Sequence, residues 1–420
     1  MKIHNNFDER FVFDGKLKSG SIAAIVIGLV VILAGLFVDT QRVFSNLLIN
    51  SYYFVCVCLA SAVFLGIQYV AQAGWSASFI RIPQAVVKVL PIAIGVMVVV
   101  VLAGLFTHHT VTIEDHTATG PYLYHSWATK GLMTPGNELY DKELAGKGGY
   151  LNQGFFLARV IGFLVVYCLF AFALVKYSFK EDEIGGMENY KKSFKLSAAF
   201  LAIFGFTFPL FAFDSMMSLE AHYFSTMFGW YNFAGMWVSG IAVLALVTVT
   251  MKKQGYLGWI NESHLHNLGL FMFAFSIFWT YTWFAQFLLT YYANIPEESA
   301  YFYRRWEPQF KPWFWLAVVL NFCAPLLVIM KRDSKRVLSV IQWISIILII
   351  GHWVDYFNMV MPGTVGVTSH WYTEVLWIEI GTFIGFAGLA SFTIFSSISK
   401  VTSLVPKNHP FLEESLHHHI

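Results

Sequence analysis

The sequence predicts an all-α, polytopic membrane protein of ten transmembrane helices, arranged as two parallel-related four-helix bundles plus two peripheral helices. Three observations carry this. Of 420 residues, 57% are hydrophobic and only 12% charged, whereas a soluble domain is about a quarter charged. Mean hydropathy is +0.59. Apolar runs of some twenty residues recur along nearly the whole chain, each long enough to cross ~30 Å of hydrocarbon. The ten-residue alternation of an outer-membrane barrel is absent.

In order, the spans fall at about 19–38, 43–71, 86–106, 151–177, 192–212, 228–251, 266–292, 311–330, 337–358 and 372–399. The second, seventh and tenth are long enough to tilt or to extend beyond the bilayer. A charged segment, 1–18, precedes the first run without a small-residue cleavage site, so that run reads as an uncleaved span. The membrane domain is then 19–400, followed by a tail at 401–420. Asn152-Gln153-Gly154-Phe155-Phe156 opens the fourth span and Pro308-Gln309-Phe310-Lys311-Pro312-Trp313-Phe314 opens the eighth. That echo would make 43–212 and 228–358 four-helix units of one orientation, repeated about the membrane normal. The long hydrophilic insertion, 107–150, contains His108, His109, Glu114, Asp115, His116 and His125. It is too short for a domain and is expected to cap the bundle or meet an extrinsic partner.

Charge sets the expected orientation. Nineteen of the 27 Lys and Arg lie in segments on the same side as the N-terminus, seven on the other, and Arg159 within a span. This bias places both termini in the cytoplasm. The 107–150 segment and the loop of Asp214, Glu220 and His222 then face outward. The net charge of +2 points to no partner class, and no basic run suggests nucleic acid. Cys56, Cys58, Cys168 and Cys323 all lie in apolar runs and read as small core residues. No Cys spacing fits a haem attachment or an iron–sulfur cluster.

Ionisable residues in or at the mouth of a bundle are functional candidates by default. Asp214, Glu220 and His222 come first. A histidine between two carboxylates could exchange protons near neutral pH or form a ligand site at the mouth. The structural alternative is that Ser218 caps an early sixth helix with Glu220 in its first turn. His352 and Asp355 stand three apart on one helix face of the ninth span, as a proton relay or as a pair that locks packing. Glu374 and Glu379, five apart, project about 140° apart, so they form no dyad. Arg159 is expected to pair with a buried acid. On the inner side His264 and His266 read either as a proton entry or as histidines snorkelling at the surface. Only His352 lies clearly within a span, which argues against a bis-histidine haem.

The string Phe213-Asp214-Ser215-Met216-Met217-Ser218-Leu219-Glu220-Ala221-His222-Tyr223-Phe224-Ser225-Thr226 resembles the signature of the NrfD/PsrC-like integral membrane subunits of bacterial alternative complex III, the ActF-like members most closely. The pattern departs at Ser215, Ala221 and Tyr223, where the family favours Trp, Pro and Trp. The resemblance implies a respiratory-chain subunit in the cell inner membrane that binds no cofactor itself, with menaquinone or its quinol as the available lipid-soluble carrier. It implies a sister ActC-like subunit that oxidises quinol, and outer-side multihaem cytochrome c and iron–sulfur subunits. It further implies surrounding lipids and a terminal cytochrome oxidase. Asp214, Glu220 and His222 match the signature directly, and Asp214 and His222 are the candidates the resemblance implies if a quinol binds in this chain; His352, Asp355, Glu374 and Glu379 come from the residues alone. The competing readings are a secondary transporter with a midplane substrate site and a purely structural anchor.

Overall fold

The computed structural model describes residues 9–113, 116–366 and 376–419; Glu374 lies outside them. It is mostly helical, with ten helices long and apolar enough to cross a membrane. They are α1 (Gly15–Val38), α2 (Thr40–Val70), α3 (Arg81–Phe106), α4 (Gln153–Ile184), α5 (Glu188–Ser215), α6 (Met227–Lys253), α7 (Glu262–Ala293), α8 (Lys311–Ile329), α9 (Leu338–Thr364) and α10 (Trp377–Ser399). All ten expected spans are present, several longer than the apolar run because polar residues extend the helix at the ends. Helix boundaries follow local chemistry. Asp39 accepts from the Arg42 amide to start α2, and Asn152 and Asn261 do the same for α4 and α7, satisfying amides that have no partner within the helix.

Two helices are central. The apolar window of α2 is 89% buried and that of α6 78%, against 17% for α1. α2 packs against α3, α5, α6, α9 and α10, and α6 against α5, α7 and α9. α1 lies almost wholly along α10. Small residues allow this approach: a Cβ on Gly28 would sit 2.3 Å from the Gly385 Cα. Such close backbone contact is how helices associate where lipid removes the hydrophobic drive. Proline marks the irregular points. Pro325, lacking an N–H, is preceded by π-helical winding at Val319–Cys323, as expected where a helical hydrogen bond is lost.

The 107–150 insertion caps one end of the bundle, here the hairpin face. Its antiparallel strands β1 (His108–Ile113) and β2 (His116–Pro121) stand beside the α5–α6 connection. Tyr124 Oη donates to the Ser215 carbonyl at 3.0 Å, Ser126 Oγ to that of Ser218 at 3.2 Å, and Lys147 Nζ to that of Ala221 at 2.8 Å. On the opposite face the tail is folded back onto the bundle. Ser415 Oγ donates to the Trp75 carbonyl at 2.6 Å, and Asn261 Nδ2 to the His418 carbonyl at 2.7 Å.

Candidate functional site

The three signature residues do not form one cluster; each takes a different partner. Asp214, in the last turn of α5, is fully buried. Arg159 of α4 grips it with a fork, Nε to Oδ2 and Nη2 to Oδ1, both 2.8 Å. The guanidinium also lies 3.7 Å from the Tyr150 ring centroid. Parallel donors matched to a carboxylate and stacked on an aromatic ring are the geometry for which arginine is suited. Arg159 therefore meets the acid expected of it in kind, and the sequence left open which one.

Glu220 sits in the tight turn Met217–Glu220. Its Oε1 accepts from Arg305 Nη2 at 2.7 Å and its Oε2 from Arg304 Nη1 at 3.0 Å. Both arginines come from the short amphipathic helix Pro296–Trp306. Arg305 is 2% exposed and also donates to the carbonyls of Tyr301 and Met359. Burial disfavours its charge, but the Glu220 carboxylate more than offsets this and holds the guanidinium above its ordinary range. A Cβ on Gly363 would come within 2.6 Å of Glu220 Cγ, so glycine there lets the carboxylate reach α9.

His222 is not placed between the two carboxylates. Its Nε2 lies 2.7 Å from Asp141 Oδ2, on the insertion. Asp141 also caps the helix Lys142–Lys147 by accepting from the Glu143 and Leu144 amides. Burial alone would raise its carboxyl, yet the Leu144 amide and His222 together hold it below the usual value. Ser218 does not cap α6, which begins only at Met227; its Oγ donates back to the Asp214 carbonyl at 2.5 Å.

Two cavities lie at and below this face. The outer one, about 410 Å³, is lined by Asp141, Glu220, His222, Tyr301 and Arg304 among others. Beneath it lies a cavity of about 20 Å³ whose walls include Tyr231, Gln286, Tyr301, Arg305, Asp355 and Asn358, enough for one water molecule. Tyr301 borders both, and the Glu220–Arg305 pair spans them. Asp355 of α9 is thus the next acid inward. It accepts from Tyr231 Oη, and from Trp279 Nε1 at 2.9 Å. His352 shares its helix face as expected, but the two do not hydrogen-bond: Nδ1 is 4.0 Å from Asp355 Oδ2. Neither ring nitrogen of this fully buried histidine has a partner among the described residues.

Glu379 at the start of α10 is fully buried and pairs with Arg42 of α2, Nε to Oε1 at 3.0 Å and Nη2 to Oε2 at 2.8 Å. Asn46 Nδ2 adds a longer contact of 3.3 Å. This pair stands apart from the Asp355 cluster. His264 and His266 are buried rather than snorkelling at the surface, because the folded-back tail and the α8–α9 turn cover them. His264 Nδ1 serves the Asn261 capping box, and its Nε2 faces Ser78 Oγ at 3.1 Å.

The sequence alone did not single out Arg42, Arg305, Tyr231 or Tyr301. Only Arg305 carried a local signal: Tyr301 and Arg305 are four apart and so share a helix face. Among the described residues no group of three His, Cys, Asp or Glu could hold a metal ion. No family profile matches the chain, and no curated protein matches it.

Proposed function

We propose that this chain is a cofactor-free integral subunit of a quinol:electron-acceptor oxidoreductase of the alternative complex III type, in which it scaffolds the membrane part and carries protons. One observation supports the proton role above all. Glu220, Arg305, Tyr301 and Asp355 form a file of polar groups that runs from the opening of about 410 Å³ at the hairpin face to the water-sized cavity beneath it, and His352 stands next to Asp355 on the same face of α9, 4.0 Å away. Buried acids and histidines in such files mark proton pathways in membranes. The signature resemblance supports the complex, and the charge bias supports an outward hairpin face with cytoplasmic termini in a bacterial inner membrane. Two parallel four-helix units, α2–α5 and α6–α9, flanked by the α1/α10 pair, fit the helix contacts.

The reading makes Asp214 a structural residue, since both carboxylate oxygens are taken by Arg159. The test is proton release per electron from the purified assembly in liposomes, with Asp355→Asn against wild type. Retained electron transfer with reduced proton release supports the reading; unchanged proton release refutes it. A second reading, a secondary transporter, draws on the π-helical break in α8 at Asn321, whose side-chain atoms are buried without partners among the described residues. The chain purifying without haem-bearing subunits would favour that alternative.

A further inference from the structure

A cavity of about 300 Å³ lies between α2, α6 and α10, away from the polar file, with Leu17 of α1 at its edge. That volume is at the lower end for ligand sites. Its lining is almost wholly apolar, the rings of Phe54, Phe383, Phe386 and Phe395 among it. The hydroxyls in the wall are committed: Tyr53 Oη donates to the Ile349 carbonyl at 2.9 Å, Thr250 Oγ1 to that of Leu246 at 2.7 Å, and Ser391 Oγ pairs with Ser21 Oγ at 2.9 Å. Asn50 is 2% exposed, and its amide oxygen lies beneath the surface of the wall. The wall therefore fits hydrocarbon. Leu246 of α6 and Ala390 of α10 are partly exposed and both helices are membrane spans, so the cavity opens to the lipid phase. Along α10 the lining runs from Phe383 to Phe395, about 18 Å of helix. That is close to the hydrocarbon depth of one leaflet, ~15 Å.

The end of the cavity on the N-terminal side is basic. Lys16 and Lys18 stand on either side of Leu17, and Lys253 lies one turn beyond the lining residue Thr250. All three are exposed. Lys253 Nζ donates to Gln342 Oε1, while the ammonium groups of Lys16 and Lys18 have no partner among the described residues. Lys252 is held by the Leu257 and Ile260 carbonyls. The nearby acids are Glu9, which accepts from the Leu257 amide, and the exposed Asp14, so Lys16, Lys18 and Lys253 leave a positive excess at this mouth. Lysines at the edge of a hydrocarbon-lined groove, level with the membrane surface, attract anionic lipid headgroups.

We propose that the cavity holds one acyl chain of an anionic phospholipid from the leaflet on the N-terminal side, with its phosphate at Lys16 and Lys18. The site is separate from Asp214, His222 and the polar file, and it stands whether or not the chain belongs to an electron-transfer complex. Both parts are needed. The cavity without the lysines would take any lipid, and the lysines without the cavity would take any anion.

The experiment is native mass spectrometry of the full-length protein in detergent, with any subunits that copurify, titrated with phosphatidylglycerol and with phosphatidylcholine of the same dioleoyl chains. Each lysine near the headgroup contributes roughly fivefold, so one phosphatidylglycerol should bind at least about tenfold more tightly than phosphatidylcholine. The double variant Lys16→Gln/Lys18→Gln should lose that preference and keep its binding of phosphatidylcholine. Dihexanoyl phosphatidylglycerol, with the same head and chains too short to fill the cavity, should bind at least about tenfold more weakly than the dioleoyl form. Ala390→Phe, which fills the cavity, should weaken both dioleoyl lipids. Equal binding of the two headgroups by wild type overturns the proposal, as does a preference that survives in the double lysine variant. Dihexanoyl binding as tight as dioleoyl reduces the site to a surface charge patch and overturns it too, as does wild-type affinity in Ala390→Phe. If Ala390→Phe does not fold, the chain-length comparison in wild type decides the role of the cavity. No electron or proton transfer is measured, so failure here and failure of the proposed complex are distinguishable.

Discussion

Glu220→Gln tests whether the hairpin-face ion pair behaves as a buried one. The carboxylate meets two arginines that differ in setting: Arg305 is 2% exposed at its side chain, Arg304 48%. Replacing Glu220 by glutamine keeps the shape but removes the charge that compensates the Arg305 guanidinium. Breaking one side of a buried pair costs about 3–5 kcal/mol, because the remaining charge stays in low dielectric. Partial access through Arg304 puts the expected loss near the lower figure, ~3 kcal/mol, or about two powers of ten in the folded-to-unfolded ratio. Arg304→Gln is the internal control, since an exposed partner contributes only about 0–1 kcal/mol. Both variants are read by thermal unfolding of the detergent-solubilised protein under one set of conditions. If Glu220→Gln destabilises no more than Arg304→Gln, the burial argument for this site is wrong. Glu220→Gln should also lower proton release in liposomes, because its carboxylate heads the file that leads to Asp355.

Arg42→Met and Glu379→Leu should each destabilise by about 3–5 kcal/mol, whereas the double variant should lie near wild type or above it; a double variant as unstable as the summed singles refutes the pairing argument. Asp214→Asn should lower the melting temperature while leaving proton release per electron in the assembled protein unchanged, in contrast to Asp355→Asn. His125 and His409, outside the spans, are each pushed down to about 4, burial being the main cause at both. An unfolded histidine titrates near 6.5, so the unfolded chain binds the proton first. Stability should be level above pH ~6.5, fall as the pH drops from about 6.5 to about 4, and level off below. Replacing both by glutamine should flatten that slope in melting temperature, and an unchanged slope would refute the assignment.

How much could be read in the sequence depended on range. Spans were legible because twenty apolar residues in a row leave few alternatives, and their ends were blurred because polar residues such as Glu181 and Asp182 continue α4 past the apolar run. The acids of the site were legible for the same reason: Asp355 and Glu379 stand out against an apolar background. Their partners were not. Arg159 is 55 residues from Asp214, Arg305 is 85 from Glu220 and Arg42 is 337 from Glu379. Arg42, Arg304 and Arg305 sit near span ends, where a basic residue reads as ordinary flanking charge. The buried setting of His264 depends on the tail and that of His266 on the α8–α9 turn, and both coverings are distant in sequence from the histidines. The small cavity between Arg305 and Asp355 arises from eleven residues on five separate helices, and no local window contains it.

The Gly28–Gly385 contact has a consequence for biogenesis. α1 leaves the ribosome with its main partner surface on α10, about 350 residues later, so at ~5–20 residues per second it waits on the order of half a minute. During that interval α1 must rest in lipid with Gly28 uncovered, held by its own apolarity and its short contact with α2. A nascent chain arrested before Trp377 would therefore carry an intact α1 with only its short contact to α2, and docking onto α10 would wait for that helix to emerge. Crosslinking between cysteines placed at Ile25 and Leu389 on stalled chains should appear only after the tenth helix has cleared the exit tunnel.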